Sequence, residues 1–199
     1  MISFTCDYTE GAHPEILRRL SETNFEQLSG YGEDCYTSSA KERIADAVGC
    51  KSSDVYLLTG GTQTNATVID ALLPHYAGVI AAESGHIAVH EGGAIELFGH
   101  KVITLPAEDG KLRSDVLQRY LEEFYQDSTS EHMVQPGCVY ISYPTEWGTL
   151  YTREELEALY TLCKRYSLKF FVDGARLGYG LASPASDITL HDLAQLCDV

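Results

Sequence analysis

The chain has 199 residues, enough for one large domain, and its hydrophobic fraction of 44% can build a sizeable core. Its 14 basic and 29 acidic residues give a net charge of −15, which argues against binding nucleic acid or anionic membranes, since both need basic patches. Six cysteines without a C-x-x-C pair read as reduced thiols of a cytoplasmic protein; the opening MISFTCDYTEG lacks a basic, apolar leader, and no apolar run approaches the ~20 residues of a membrane span.

In chain order, PEILRRLSE (14–22) starts with proline and predicts a helix. Residues 25–37 predict an irregular loop around Gly30 and Gly32. A helix is expected over 38–48, capped by Ser38 or Ser39 and stopped by Gly49. VYLL (55–58) predicts a short buried strand, and GGTQTN then opens an apolar helix running to Leu73 and ended by Pro74. GVIAAE (78–83) and KVITLP (101–106) predict strands, 114–126 an amphipathic helix, and 127–137 a surface loop. CVYISYP (138–144) predicts a strand, 153–166 a helix, KFFVD (169–173) a strand, and 189–196 a helix. Apolar strands alternating with helices predict an α/β fold with a mostly parallel sheet covered on both faces.

Ligands of such sheets bind at the carboxyl ends of the strands, and three segments fall there. Leu58-Thr59-Gly60-Gly61-Thr62 leads into a helix N-terminus, suited to an anion or simply an ordinary capped turn; neither G-x-G-x-x-G nor a P-loop is present. A nucleotide-binding Rossmann domain is therefore disfavoured. Glu83-Ser84-Gly85-His86 ends a strand; His86 and His90 are spaced i, i+4, but H-E-x-x-H is absent and no third metal ligand is evident, so no metal is expected. Asp173 ends the apolar KFFV run. A carboxylate there needs a partner, either Arg176 or a cation that arrives with a ligand. An anion cradle, a flat imidazole and a carboxylate together suit pyridoxal 5'-phosphate (PLP).

These residues, in this order, resemble the L-threonine aldolases and related β-eliminating lyases, PLP enzymes of the aspartate-aminotransferase fold. The resemblance rests on Cys6-Asp7-Tyr8-Thr9 with His13-Pro14, Tyr31-Gly32-Glu33-Asp34, Gly61-Thr62-Gln63-Thr64-Asn65, His86 with Glu91 and Gly92-Gly93, and Asp173-Gly174-Ala175-Arg176. It implies an N-terminal helical arm (1–24) and a PLP-binding large domain (25–199), without the family's C-terminal small domain. It implies that Gly60, Gly61 and Thr62 bind the cofactor phosphate, that His86 stacks on the pyridine ring, that Asp173 holds the ring-nitrogen proton, and that Arg176 contacts the cofactor's ring oxygen or the substrate carboxylate. Cys6, Asp7 and Tyr31 would touch substrate or a neighbouring subunit of a homodimer or homotetramer.

The implied reaction cleaves the Cα–Cβ bond of a β-hydroxy-α-amino acid, giving glycine and an aldehyde. The alternatives are β-elimination on another amino acid, or a non-catalytic PLP-binding fragment. In Pro144-Thr145-Glu146-Trp147-Gly148-Thr149, Glu146 stands where many relatives carry a histidine, and is expected to act as a base or to orient a water. Cys6 stands where many relatives carry serine. Lys41, Lys51, Lys101, Lys111, Lys164 and Lys169 do not match the position of the family's cofactor-bearing lysine, so the 199 residues are expected to be an inactive piece of an active enzyme.

Overall fold

A computed structural model describes residues 6–199. The chain forms two compact units, residues 1–42 and 43–199.

In the first unit, helix α1 (Pro14–Thr23) begins on its proline, and His13 Nδ1 accepts from the Glu15 amide at 3.2 Å. Its surface is laced by ion pairs one turn apart: Arg18 with Glu15 and Glu22, and Arg19 with Glu22. Helix α2 (Cys35–Val48), whose residues from Arg43 on belong to the second unit, starts three residues before the expected position. Asp34 accounts for this, because its carboxylate accepts from the Thr37 amide at 2.8 Å and from its hydroxyl at 2.6 Å, as an N-cap does. These two bonds also hold the Asp34 carboxyl below its ordinary pKa. Gly49 stops α2 in the left-handed region at φ +70°.

The second unit carries α3 (Gly61–Leu72), β1 (Ala77–Ala82), α4 (His86–Val89), α5 (Ala94–Leu97), β2 (Val102–Leu105), α6 (Ser114–Gln126), β3 (Gln135–Ser142), α7 (Arg153–Arg165), β4 (Lys169–Asp173), α8 (Leu177–Ala182) and α9 (Leu190–Gln195). The four strands form one sheet in the order β2-β1-β3-β4, every pair parallel. The α/β class with a parallel sheet is as the sequence predicts. Period-two alternation divides the core. Ile80, Val139, Ile141 and Phe170 face α6 and α7 through Leu117, Leu121, Leu156 and Leu159. Val79, Ala81, Cys138, Tyr140 and Phe171 face the other way, toward Ala66 and Ile69 of α3 and Ile95 of α5.

Residues 55–58 are not a strand. Tyr56, Leu57 and Leu58 are exposed and pair with no ladder among the described residues. Strand β3 begins at Gln135, three residues early, because the Gln135 amide donates to the Tyr76 carbonyl at 3.0 Å and Gln135 pairs with Ala77 of β1. The segment before it holds a single 3-10 turn, Ser130–His132. All six cysteines are free thiols, and no described helix is long and apolar enough to cross a membrane.

Candidate active site at the carboxyl edge of the sheet

The strand order changes direction at β1: the chain passes from β1 to β2 on one side, then returns to β3 on the other. In open parallel sheets the crevice at such a point is where ligands bind. The residues that follow β1, β3 and β4 converge there.

Asp173 is the last residue of β4, in register with Ser142 of β3. Tyr140 of β3 donates its hydroxyl to Asp173 Oδ2 at 2.6 Å, and Asn65 Nδ2 donates to the same oxygen at 3.0 Å. The Ala175 amide donates to Oδ1 at 3.0 Å. These three partners are neutral donors, so they orient the carboxylate without cancelling its charge. Burial, and then the adjacent Asp173 charge, push the Tyr140 hydroxyl far above its ordinary pKa, so it remains a donor at any physiological pH.

Asn65 is buried on α3, one turn before Ile69. Its Nδ2 also donates to Glu91 Oε1 at 2.7 Å. One amide group thus bridges two carboxylates 108 and 26 residues away in sequence. Glu91 Oε1 also pairs with His86 Nδ1 at 2.7 Å, and the Glu91 side chain is fully buried while that of His86 is 38% exposed. The His86 backbone amide, at the start of α4, donates to Glu146 Oε1 at 3.0 Å, and the Ser142 hydroxyl donates to that oxygen too. His86, Glu146 and Asp173 are therefore one hydrogen-bonded cluster, joined by residues that sequence reasoning did not assign to the site: Glu91, Asn65, Tyr140 and Ser142. Asn65 carried a legible signal, a polar residue at a core-facing helical position, and Glu91 stood with His86 in the resemblance; Tyr140 and Ser142 carried none.

Ligand atoms of His86, Glu91 and Asp173 lie within 4.8 Å of one another. The Asn65 amide between the carboxylates directs N–H groups at both, which is the arrangement of a hydrogen-bonded chain.

Gly60 is the N-cap of α3, extended at φ −170°, and no side chain caps the helix. A Cβ on Gly60 or Gly61 would meet nothing within 4 Å, so open space lies before twelve residues of helix dipole. Thr62 is exposed in that first turn, and Asn65 follows one turn later. Arg176 caps α8 three residues beyond Asp173; its carbonyl accepts from the Tyr179 and Gly180 amides at 3.0 and 3.1 Å. Cys6, Asp7 and Tyr31 belong to the first unit, where Tyr31 is fully exposed with φ +61°.

The residues present fit PLP: an open helix N-terminus for a phosphate, a half-exposed imidazole for a ring face, and a carboxylate held by neutral donors for a ring nitrogen. Glu91 Oε2 and Ser84 Oγ are, among the described residues, buried oxygens left without a hydrogen-bond partner, a mark of a polar site rather than of closed core.

Residues 4–199 match the family model described as beta-eliminating lyase. A low specificity L-threonine aldolase of Pseudomonas aeruginosa is 31% identical over 186 residues, covering 90% of this chain and 51% of the relative. The structure of Leishmania major threonine aldolase superposes with a TM-score of 0.92 at 45% identity, over 96% of this chain and 55% of that one. An Escherichia coli aminotransferase shares the fold at a TM-score of 0.71 and 16% identity, over 94% of this chain and 45% of that one. The chain thus spans about half the length of these relatives. With nearly every residue inside the matched model, the chain belongs to the beta-eliminating lyase family.

Proposed function

We propose that the protein is a PLP-dependent lyase that cleaves the Cα–Cβ bond of a β-hydroxy-α-amino acid, L-threonine or L-allo-threonine, to glycine and acetaldehyde. The observation that carries this reading is Asp173: a carboxylate at the end of β4, held by Tyr140, Asn65 and a backbone amide, all neutral. Such a group is suited to keeping a pyridine nitrogen protonated. The threonine aldolase relatives support the choice of substrate.

In this reading Gly60, Gly61 and Thr62 hold the phosphate at the N-terminus of α3, and the His86 ring covers the pyridine face. Arg176 engages the ring oxygen or the substrate carboxylate. Bound PLP supplies the electron sink for the pair released when Cα–Cβ breaks. Glu146, anchored through Oε1 by the His86 amide and Ser142, orients a water or takes the hydroxyl proton. Cys6, Asp7 and Tyr31 serve substrate or a neighbouring subunit of a homo-oligomer. No lysine of the 199 residues matches the position of the family's cofactor-bearing lysine, and Lys169 lies at the opposite end of β4 from Asp173. The 199 residues alone are therefore expected to be catalytically silent.

The test is a PLP titration by absorbance together with acetaldehyde release from both threonine isomers, using the whole protein and its Asp173→Ala variant. PLP binding and aldehyde release that collapse in the variant support the reading. A wild-type protein that binds PLP but releases no aldehyde sinks the aldolase assignment and leaves β-elimination to be assayed. Aldehyde release by the 199-residue stretch alone, at the whole protein's rate, refutes the proposed silence.

A further inference from the structure

The His86 ring has two nitrogens, and among the described residues only Nδ1 has a hydrogen-bond partner. Glu91 Oε1, the partner of Nδ1, also receives an N–H of Asn65. The Asn65 amide cannot be turned round, because its oxygen would then face the carboxylates of Glu91 and Asp173. Oε1 is thus an acceptor already. With the Asn65 N–H fixed on it, Oε1 faces the His86 ring as an acceptor, so Nδ1 is the donor of their bond. The Glu91 side chain is fully buried, which removes water as a competing donor.

We propose that Glu91 is a positioning residue that holds His86 as its Nδ1–H tautomer and so leaves Nε2 as a bare acceptor on a ring that is partly exposed. The chain of bonds runs His86 Nδ1–H to Glu91, from Asn65 to Glu91 and Asp173, and from Tyr140 to Asp173. One continuous set of donors therefore orients both the imidazole and the Asp173 carboxylate. Fixing a tautomer from behind is how buried carboxylates direct histidines elsewhere. An Nε2 without hydrogen can accept from a substrate hydroxyl, whereas Nε2–H could only donate to it. That use of the ring rests on the lyase reading; the tautomer itself does not.

The experiment is long-range 1H–15N correlation of the histidine rings in [15N]histidine-labelled protein at pH 8 without PLP, with His86 assigned by loss of its peaks in His86→Gln. Wild type is expected to show a pyrrole-type Nδ1 and a pyridine-type Nε2. Glu91→Gln keeps a side-chain oxygen able to accept from both His86 and Asn65, and is expected to keep this pattern. Glu91→Ala is expected to lose it, moving hydrogen to Nε2. An Nε2–H ring in wild type overturns the proposal, as does an unchanged pattern in a folded Glu91→Ala. If that variant does not fold, the wild-type pattern decides alone. A protein that shows the tautomer yet neither binds PLP nor releases aldehyde removes the lyase reading and leaves this one standing.

Discussion

The Tyr140 hydroxyl lies 2.6 Å from Asp173 Oδ2, across two adjacent parallel strands and at the end where both stop. Tyr140 itself is fully buried, so this polar tip meets the carboxylate with little competition from water. Tyr140→Phe is expected to destabilise the protein by about 1–2 kcal/mol, since a bond to a charged acceptor is lost while Asn65 and the Ala175 amide remain. Urea unfolding of the two proteins measures it. A loss below a few tenths would mean the hydroxyl bond contributes nothing net.

Asn65→Ala removes one amide from two carboxylates at once. The expected cost is larger, about 3 kcal/mol, because Glu91 is buried and loses a donor that no water can replace. A double-mutant cycle with Tyr140→Phe should show coupling, as both donate to Asp173 Oδ2. Strict additivity would show that the cluster acts as separate pairs.

Glu146→Gln separates anchoring from acid–base work. The amide oxygen can still accept from the His86 amide and from Ser142, so the melting temperature should hold. If the charge serves the proton transfer, kcat falls by roughly 10²–10⁴. Retained activity would leave Glu146 as the anchor of α4 alone.

Stability should decline on the alkaline side. Burial pushes the Cys163 thiol up to about 12 and the Cys197 thiol up to about 11, and raises Cys138, Tyr140 and Tyr151 further. Each group ionises at a lower pH in the unfolded chain than in the folded one. The unfolded state therefore sheds protons first, and the stabilisation, complete below the unfolded pKa, drains away as pH rises from roughly 8.5. Urea midpoints between pH 8 and 11 read the slope, and Cys163→Ala should flatten it. A flat profile in wild type would contradict the burial of these groups.

Gly180→Ala tests the packing of α8. A Cβ there would sit 2.9 Å from Pro144 Cδ and Cγ and 3.1 Å from Tyr143 Cε1. The expected penalty is about 1–3 kcal/mol, read as a drop in melting temperature; an unchanged value would show that the Pro144 loop yields freely.

Much of the fold was legible because period and length agreed. Residues 114–126 and 169–173 have the bounds that their patterns predict, and Gly49 ends its helix. The Val55–Leu58 run misled because apolar residues name a strand only when a neighbour pairs with it. Helices α4 and α5 are four residues each, too short for a helical period to register, and are set by the left-handed glycines Gly92 and Gly93 between them. At the site, the strand-end position of Asp173 and His86 could be read directly. Glu91 as the partner of His86 was not legible from spacing: the two are five residues apart, and the intervening helical turn ends before Glu91. Tyr140 looked like any core aromatic, since nothing local shows that its hydroxyl reaches across to β4.

The Asn65–Asp173 bond closes a loop of 108 residues, more than half the chain. Closing so long a loop yields no return until the intervening strands have docked, so non-local pairings of this kind form late in folding. During synthesis α3 and β1 leave the ribosome long before β4 does, and until then Asn65 and Glu91 have no Asp173 to meet. The Asp173 carboxylate therefore gains its Asn65 and Tyr140 donors only after β3 and β4 have joined β1 in the sheet.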